Sequence, residues 1–113
     1  MREDILSYHY SDRLKAILII AGNLLQAYED SRRREDIMYA LFDALEGEIN
    51  LSWAVLSKEA TWAERGLEEA RHNLHQSIRQ FNLGDVKGSE EYISRAISNV
   101  TTIAEKSFER LGL

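Results

Sequence analysis

Glu69-Ala70-Arg71-His72 carries the spacing with the clearest chemical content in this chain. Residues three apart share a helical face, so Glu69 and His72 could ligate one metal ion together. Helical bundles hold paired irons in this way, with a Glu on one helix and a Glu-x-x-His on another. Glu46 or Glu48 would supply the facing carboxylate. At about 100° per residue, however, Glu69 and His72 both project away from the inner face expected for their helix. His9, His72 and His75 are candidates for acid–base work, but none has a carboxylate and a nucleophile at triad-like spacing. Ser57, Ser77 and Ser107 lie in helical contexts rather than on elbow-like turns. Gly84-Asp85-Val86-Lys87-Gly88 is too short for a phosphate loop. Arg32-Arg33-Arg34 could meet a phosphate, but Glu35 and Asp36 follow at once, and cations at a helix start oppose its dipole. These residues assign no catalytic group, no metal ligand and no cofactor, and they give no strong nucleic-acid signal.

Two resemblances attach to the same residues. Residues 70–112, with Gly84-Asp85 between two helical stretches, are similar to the helix–Gly-Asp–helix portion of HEPN-type ribonucleases. The catalytic pattern of that family is an Arg and a His with four to six residues between them. Arg65 and His72 fit it, and so do Arg2 and His9, while Gly66 stands where the family has a polar residue. The resemblance implies an RNA-processing or toxin–antitoxin-type protein. A Glu-x-x-His half-site completed by a second copy would instead resemble the encapsulated-ferritin arrangement and imply a metal-binding bundle.

The elements that must position these residues are helices. No stretch alternates polar and β-branched residues with period two, whereas spacings of three and four recur throughout. Tyr10, Leu14, Ile17, Ala21, Leu24 and Tyr28 make one stripe, which Leu18 and Leu25 widen. The polar stretch Glu29–Arg34 predicts a turn, with Asp30 or Ser31 capping a second helix. That helix presents Ile37, Met38, Leu41, Leu45, Ile49, Ser52, Val55 and Leu56, with Gly47 inside it. Thr61-Trp62-Ala63-Glu64 matches a capping box and predicts the start of a third helix, buried through Ala63, Leu67, Ala70, Leu74, Ile78 and Phe81. Gly84 ends it, and Ser89-Glu90-Glu91 predicts the start of a fourth, buried through Ile93, Ile97, Val100, Ala104, Phe108 and Leu111. The expected helices cover about 4–29, 32–57, 62–82 and 90–111 in one domain spanning 1–113. Short connections favour antiparallel neighbours, so the fold class is all-α, an antiparallel four-helix bundle, with completion or extension by a second copy as its variant.

Composition narrows the function classes. The chain has 113 residues, no Cys, no Pro, 44% hydrophobic residues and a net charge of −5. Without Cys there is no disulfide framework, zinc ribbon or thiol nucleophile. The acidic balance disfavours nonspecific binding to nucleic acid or anionic membrane. The most apolar run, Ala16 to Leu25, is too short to span a membrane and lies too deep for a secretory signal. A soluble cytoplasmic protein is the expectation. Several large apolar residues nevertheless fall off the inner faces. Ile19 and Ile20, with Tyr39 and Trp53 on a flank beside Phe42 and Ile49, predict a second contact surface on the first two helices. The expected partner is a second copy in a dimer, or another protein. Glu48 falls inside the apolar stripe of the second helix, where an unpaired carboxylate would be costly, so it requires a partner.

Overall fold

The 45 Å long axis of the molecule is the length of one helix, 30 residues rising about 1.5 Å each. The computed structural model describes residues 2–31 and 35–112, apart from the side chains of 29–31. Four helices fill it: α1 (Arg2–Ser31), α2 (Glu35–Glu59), α3 (Glu64–Asn82) and α4 (Val86–Arg110). A 3-10 turn at Thr61–Ala63 precedes α3, and no strand occurs among the described residues. α1 packs on α4 and α2, while α3 packs on α4 and α2, so the helices stand at the corners of a square with α1 diagonal to α3. The fold is the all-α, antiparallel four-helix bundle that the spacing predicts.

Small residues set how closely the helices approach. α4 makes the two most extensive contacts, with α1 and α3. Along both seams serine and alanine replace large side chains: Ser7, Ser11 and Ala21 on α1, Ala70 and Ser77 on α3, and Ser89, Ala96 and Ser107 on α4 are all buried. Each buried hydroxyl is satisfied, as desolvation requires. The Ser7 and Ser107 hydroxyls bond at 2.6 Å, with the carbonyls of Asp4 and Ile103 also in reach. Ser77 and Ser89 bond at 2.8 Å. Gly66 extends the same logic, because a Cβ there would stand 2.9 Å from the Ile103 side chain. α2 sits more lightly against its neighbours and contributes the larger residues Met38, Phe42, Leu45, Ile49 and Leu56.

Several boundaries differ from expectation. α1 continues through Ser31, so residues 29–31 belong to its last turn and not to a polar linker. Capping by Asp30 or Ser31, and the Arg32–Arg34 run, lie outside the described residues. The Thr61 capping box does not form, because Thr61 opens the 3-10 turn and α3 begins after Ala63 with no side-chain cap. α4 starts a turn earlier than Ser89, since Asp85 accepts from the backbone N–H of Gly88 at 2.9 Å, and Ser89 turns inward to Ser77. Gly84 does take the left-handed conformation, with φ +83°.

The buried faces are also rotated. On α1 the centre of the core is Leu14, Leu18, Ala21 and Leu25, while Tyr10, Ile17, Leu24 and Tyr28 are only partly buried. On α4, Ala96, Ile103 and Ser107 lie inside, and Phe108, expected in the core, stands out in solvent. Ile37 of α2 is exposed as well. Serines and alanines fill the α1–α4 contact, which leaves Phe108 at its outer rim.

Candidate functional site

The charged residues singled out for chemistry are each taken up by a different neighbour. Glu48 meets Arg13, which reaches across from α1 to 2.8 Å. Glu46 pairs with His75 of α3 at 3.5 Å. Glu69 divides its oxygens between Arg65, at 3.4 Å, and the Asn99 amide, at 3.3 Å. Asn99 accepts in turn from Asn73 at 2.8 Å. Among the described residues no group of three or more His, Asp or Glu converges as a metal ion would require. His72 lies in solvent on α3, and Arg65 is almost fully exposed on the same helix. Arg2 bonds Glu59 at 3.5 Å, and His9 stands exposed, its ring edge-on to Tyr10.

One end of the bundle carries a built electrostatic cluster. Arg110, in the last turn of α4, bonds the buried carboxylate of Asp4 through Nε and reaches Glu3 at 2.8 Å through Nη2. Its guanidinium also lies over the Trp62 ring at 5.0 Å, and Lys106 lies 5.0 Å from the same ring. The hydrogen bond to Asp4, ahead of the nearby charges, holds Arg110 above its already high protonation range. The placement suits both helix dipoles, with anions at the start of α1 and a cation at the end of α4. This cluster is a clasp between helices: its charges pair with one another, while the buried Trp62 Nε1–H lacks a hydrogen-bond partner.

The apolar residues expected to form a contact surface separate in the structure. Phe42 and Ile49 are 2% exposed and belong to the core of their own chain, so they offer no surface. Their inward turn follows from the rotation of α2, whose inner face runs through Met38, Phe42, Leu45 and Ile49. Trp53 is half-buried against that core. Tyr39 remains accessible, with its ring 5.3 Å from Phe81. Partial desolvation, helped by the charge of Glu35, raises its phenol above the ordinary range. Ile19 and Ile20 are both exposed, but one residue of helix turns them about 100° apart. Ile20 faces the α2 side, as Arg13 does. Ile19 faces α4.

Exposed apolar residues stand on this second side too, while Ile20, Ile37, Tyr39 and Leu51 are exposed elsewhere on α1 and α2. Tyr8 (38% exposed), Ile19 (41%) and Phe108 (45%) line the outer groove between α1 and α4. Tyr8 and Phe108 contact each other across it, with ring centroids 6.2 Å apart. Two depressions lie along the groove. One, of about 350 Å³, is lined by Tyr8, Asp12, Lys15, Thr101 and Phe108 among others. The other, of about 260 Å³, is lined by Ile19, Gly22, Ser94 and Ile97 among others. Sequence reasoning found Ile19 but missed Tyr8 and Phe108. The available signal was the row of small residues at Ser7, Ser11 and Ser107, which marks the true seam and pushes the adjacent aromatics outward. No helix among the described residues is long and apolar enough to cross a membrane. The chain matches no family model, no curated protein and no solved structure.

Proposed function

We propose that this chain is a non-enzymatic helical interaction module that acts in the cytoplasm by associating with a second copy of itself. The supporting observation is the α1/α4 face, where Tyr8, Ile19 and Phe108 stand exposed beside two depressions. Single exposed apolar residues are ordinary, but a row along the length of a helix pair has the character of a contact surface. The two depressions give that surface relief, and closed two-fold dimers are the commonest way for one chain to cover such a face.

Sedimentation equilibrium at tens of micromolar tests the proposal. The expected mass is that of two chains. Ile19→Asp should return it to one, while Ile20→Asp, on the other flank of α1, should not. A single-chain mass for the unmodified protein across the concentration range overturns it. An RNA-processing or toxin–antitoxin-type protein would instead need Arg65 and His72 in a shared cleft on α3, the helix diagonal to α1. Cleavage of single-stranded RNA that disappears in Arg65→Ala would favour that alternative.

A further inference from the structure

We infer that the groove between α1 and α4 is a docking site for a basic amphipathic helix of another protein. The carboxylates at the end where Tyr8 meets Phe108 carry the inference. Elsewhere in the fold Asp4, Glu46, Glu48 and Glu69 are each engaged by a basic side chain. Asp12 on α1 and Glu105 and Glu109 on α4 are different. Among the described residues none of these three has an ion-pair or hydrogen-bond partner. They surround the same depression as the exposed rings of Tyr8 and Phe108, which stand 6.2 Å apart. Glu90 borders the second depression. Against these four acids, Lys15 is the one Lys or Arg among the described residues that line either depression.

That chemistry selects the occupant. Unpaired carboxylates beside exposed ring faces favour a cation carried on an apolar stem. The charge meets the carboxylates, while the stem or a planar guanidinium lies on the rings. Lys and Arg side chains have this form. Nucleic acid and anionic membrane are repelled by the same acidic lining. Two copies of this chain would set like charges against each other here, whereas a basic helix would not. The inference therefore goes beyond the proposed self-association and does not depend on it. Where both occupants are present, they compete for one face.

The groove suits a third helix. Tyr8, Asp12, Lys15, Ile19 and Gly22 follow one another along α1 at intervals of four and three, so they share a face over about 21 Å. The acids and the two rings lie at one end. Ile19, Ile93 and Ile97 line the depression at the other end, where Gly22 adds no side chain. A helix laid between α1 and α4 would place apolar residues in both depressions. Lys or Arg on its margins would reach Asp12 from one side and Glu105 and Glu109 from the other.

The probe is a peptide of about 18 residues, built from Leu and Lys so that one face of its helix is apolar and the other basic. Titrated calorimetrically into the full chain at about 0.15 M salt, it should bind, and a Leu and Glu counterpart of the same pattern should not. Asp12→Asn/Glu105→Gln removes one carboxylate from each wall of the groove and should weaken binding by roughly tenfold or more. Asp43→Asn/Glu68→Gln removes the same charge from α2 and α3, and screening should keep its effect within about twofold. All four positions are exposed, and circular dichroism checks that the helices persist. Absence of binding, equal loss in the two pairs, or displacement of the peptide by an equimolar amount of spermidine overturns the inference and leaves self-association standing. Sedimentation of the same variants separates the two readings. Asp12→Asn/Glu105→Gln should strengthen a dimer formed through this face while it weakens the peptide. A chain that binds the peptide but keeps a single-chain mass without it removes self-association and leaves the docking site in place.

Discussion

Ser7 and Ser107 share a 2.6 Å hydrogen bond across the seam of α1 and α4. Both are fully buried, and the bond bridges helices that could not approach so closely around larger side chains. Ser7→Ala should cost about 1 kcal/mol, the net value of a buried hydrogen bond. Ser107→Leu should cost about 2 kcal/mol or more, because it overpacks the seam. Urea unfolding measures both, and the Ser7→Ala/Ser107→Ala double variant should cost less than the sum of Ser7→Ala and Ser107→Ala measured singly.

Arg110 and Asp4 supply a second test. Asp4 is buried, while Arg110 keeps over a third of its side chain in solvent. Arg110→Ala leaves the carboxylate without its main cation and should lower stability, by less than the loss of a fully buried pair. Arg110→Lys should recover only part of it, since an ammonium cannot fork to Asp4 and Glu3 as the guanidinium does. Denaturant midpoints of the two variants check the order.

Two helical glycines should respond in opposite directions. Nothing lies within 4 Å of a Cβ at Gly47, so Gly47→Ala should stabilise by about 0.5–1 kcal/mol through helix propensity alone. At Gly66 the same gain is met by the buried Ile103 side chain at 2.9 Å, and Gly66→Ala should be net destabilising by roughly 1 kcal/mol. Thermal unfolding of both variants tests the contrast.

Tyr39 gives a pH signature. Desolvation and Glu35 favour the neutral phenol, so its folded value lies above the ordinary 10.0. A group raised in this way stabilises the fold below its unfolded value, and that contribution disappears as pH rises through the folded value. NMR titration of Tyr39 should show ionisation above 10.0, and Glu35→Gln should move it back down.

Chelation should leave the fold unchanged. Glu46, Glu48 and Glu69 are engaged by His75, Arg13 and Arg65 respectively. Dialysis against EDTA is expected to leave the melting temperature where it was. A drop of several degrees would show that these carboxylates hold an ion instead.

The legible parts of this molecule were its local ones. Helical spacing, the left-handed Gly84 and the inner face of α3 all follow from neighbours in sequence. Contacts between helices were harder to read. Glu48 visibly required a partner, yet Arg13 sits 35 positions away on another helix. Large side chains drew the expected faces toward Tyr10 and Phe108, because hydropathy gives little weight to serine. The fold buries six serines at seams and turns, where a satisfied hydroxyl costs little and small volume is useful. That preference turned Phe108 outward beside Tyr8, while Ile20, Tyr39 and Leu51 stay exposed on α1 and α2.

The same seams also set an order of events in folding. Ser77 and Ser89 close the α3–α4 hairpin across 12 positions, whereas Ser7 and Ser107 close α1 on α4 across 100. Chain-closure entropy rises with the logarithm of that separation, so the hairpin should assemble first and α1 should dock late. A bundle built mostly from local contacts belongs with fast-folding topologies, but here the rate would be set by a long-range docking step. Substitutions at Ser77 should therefore slow folding, whereas substitutions at Ser7 should mainly speed unfolding.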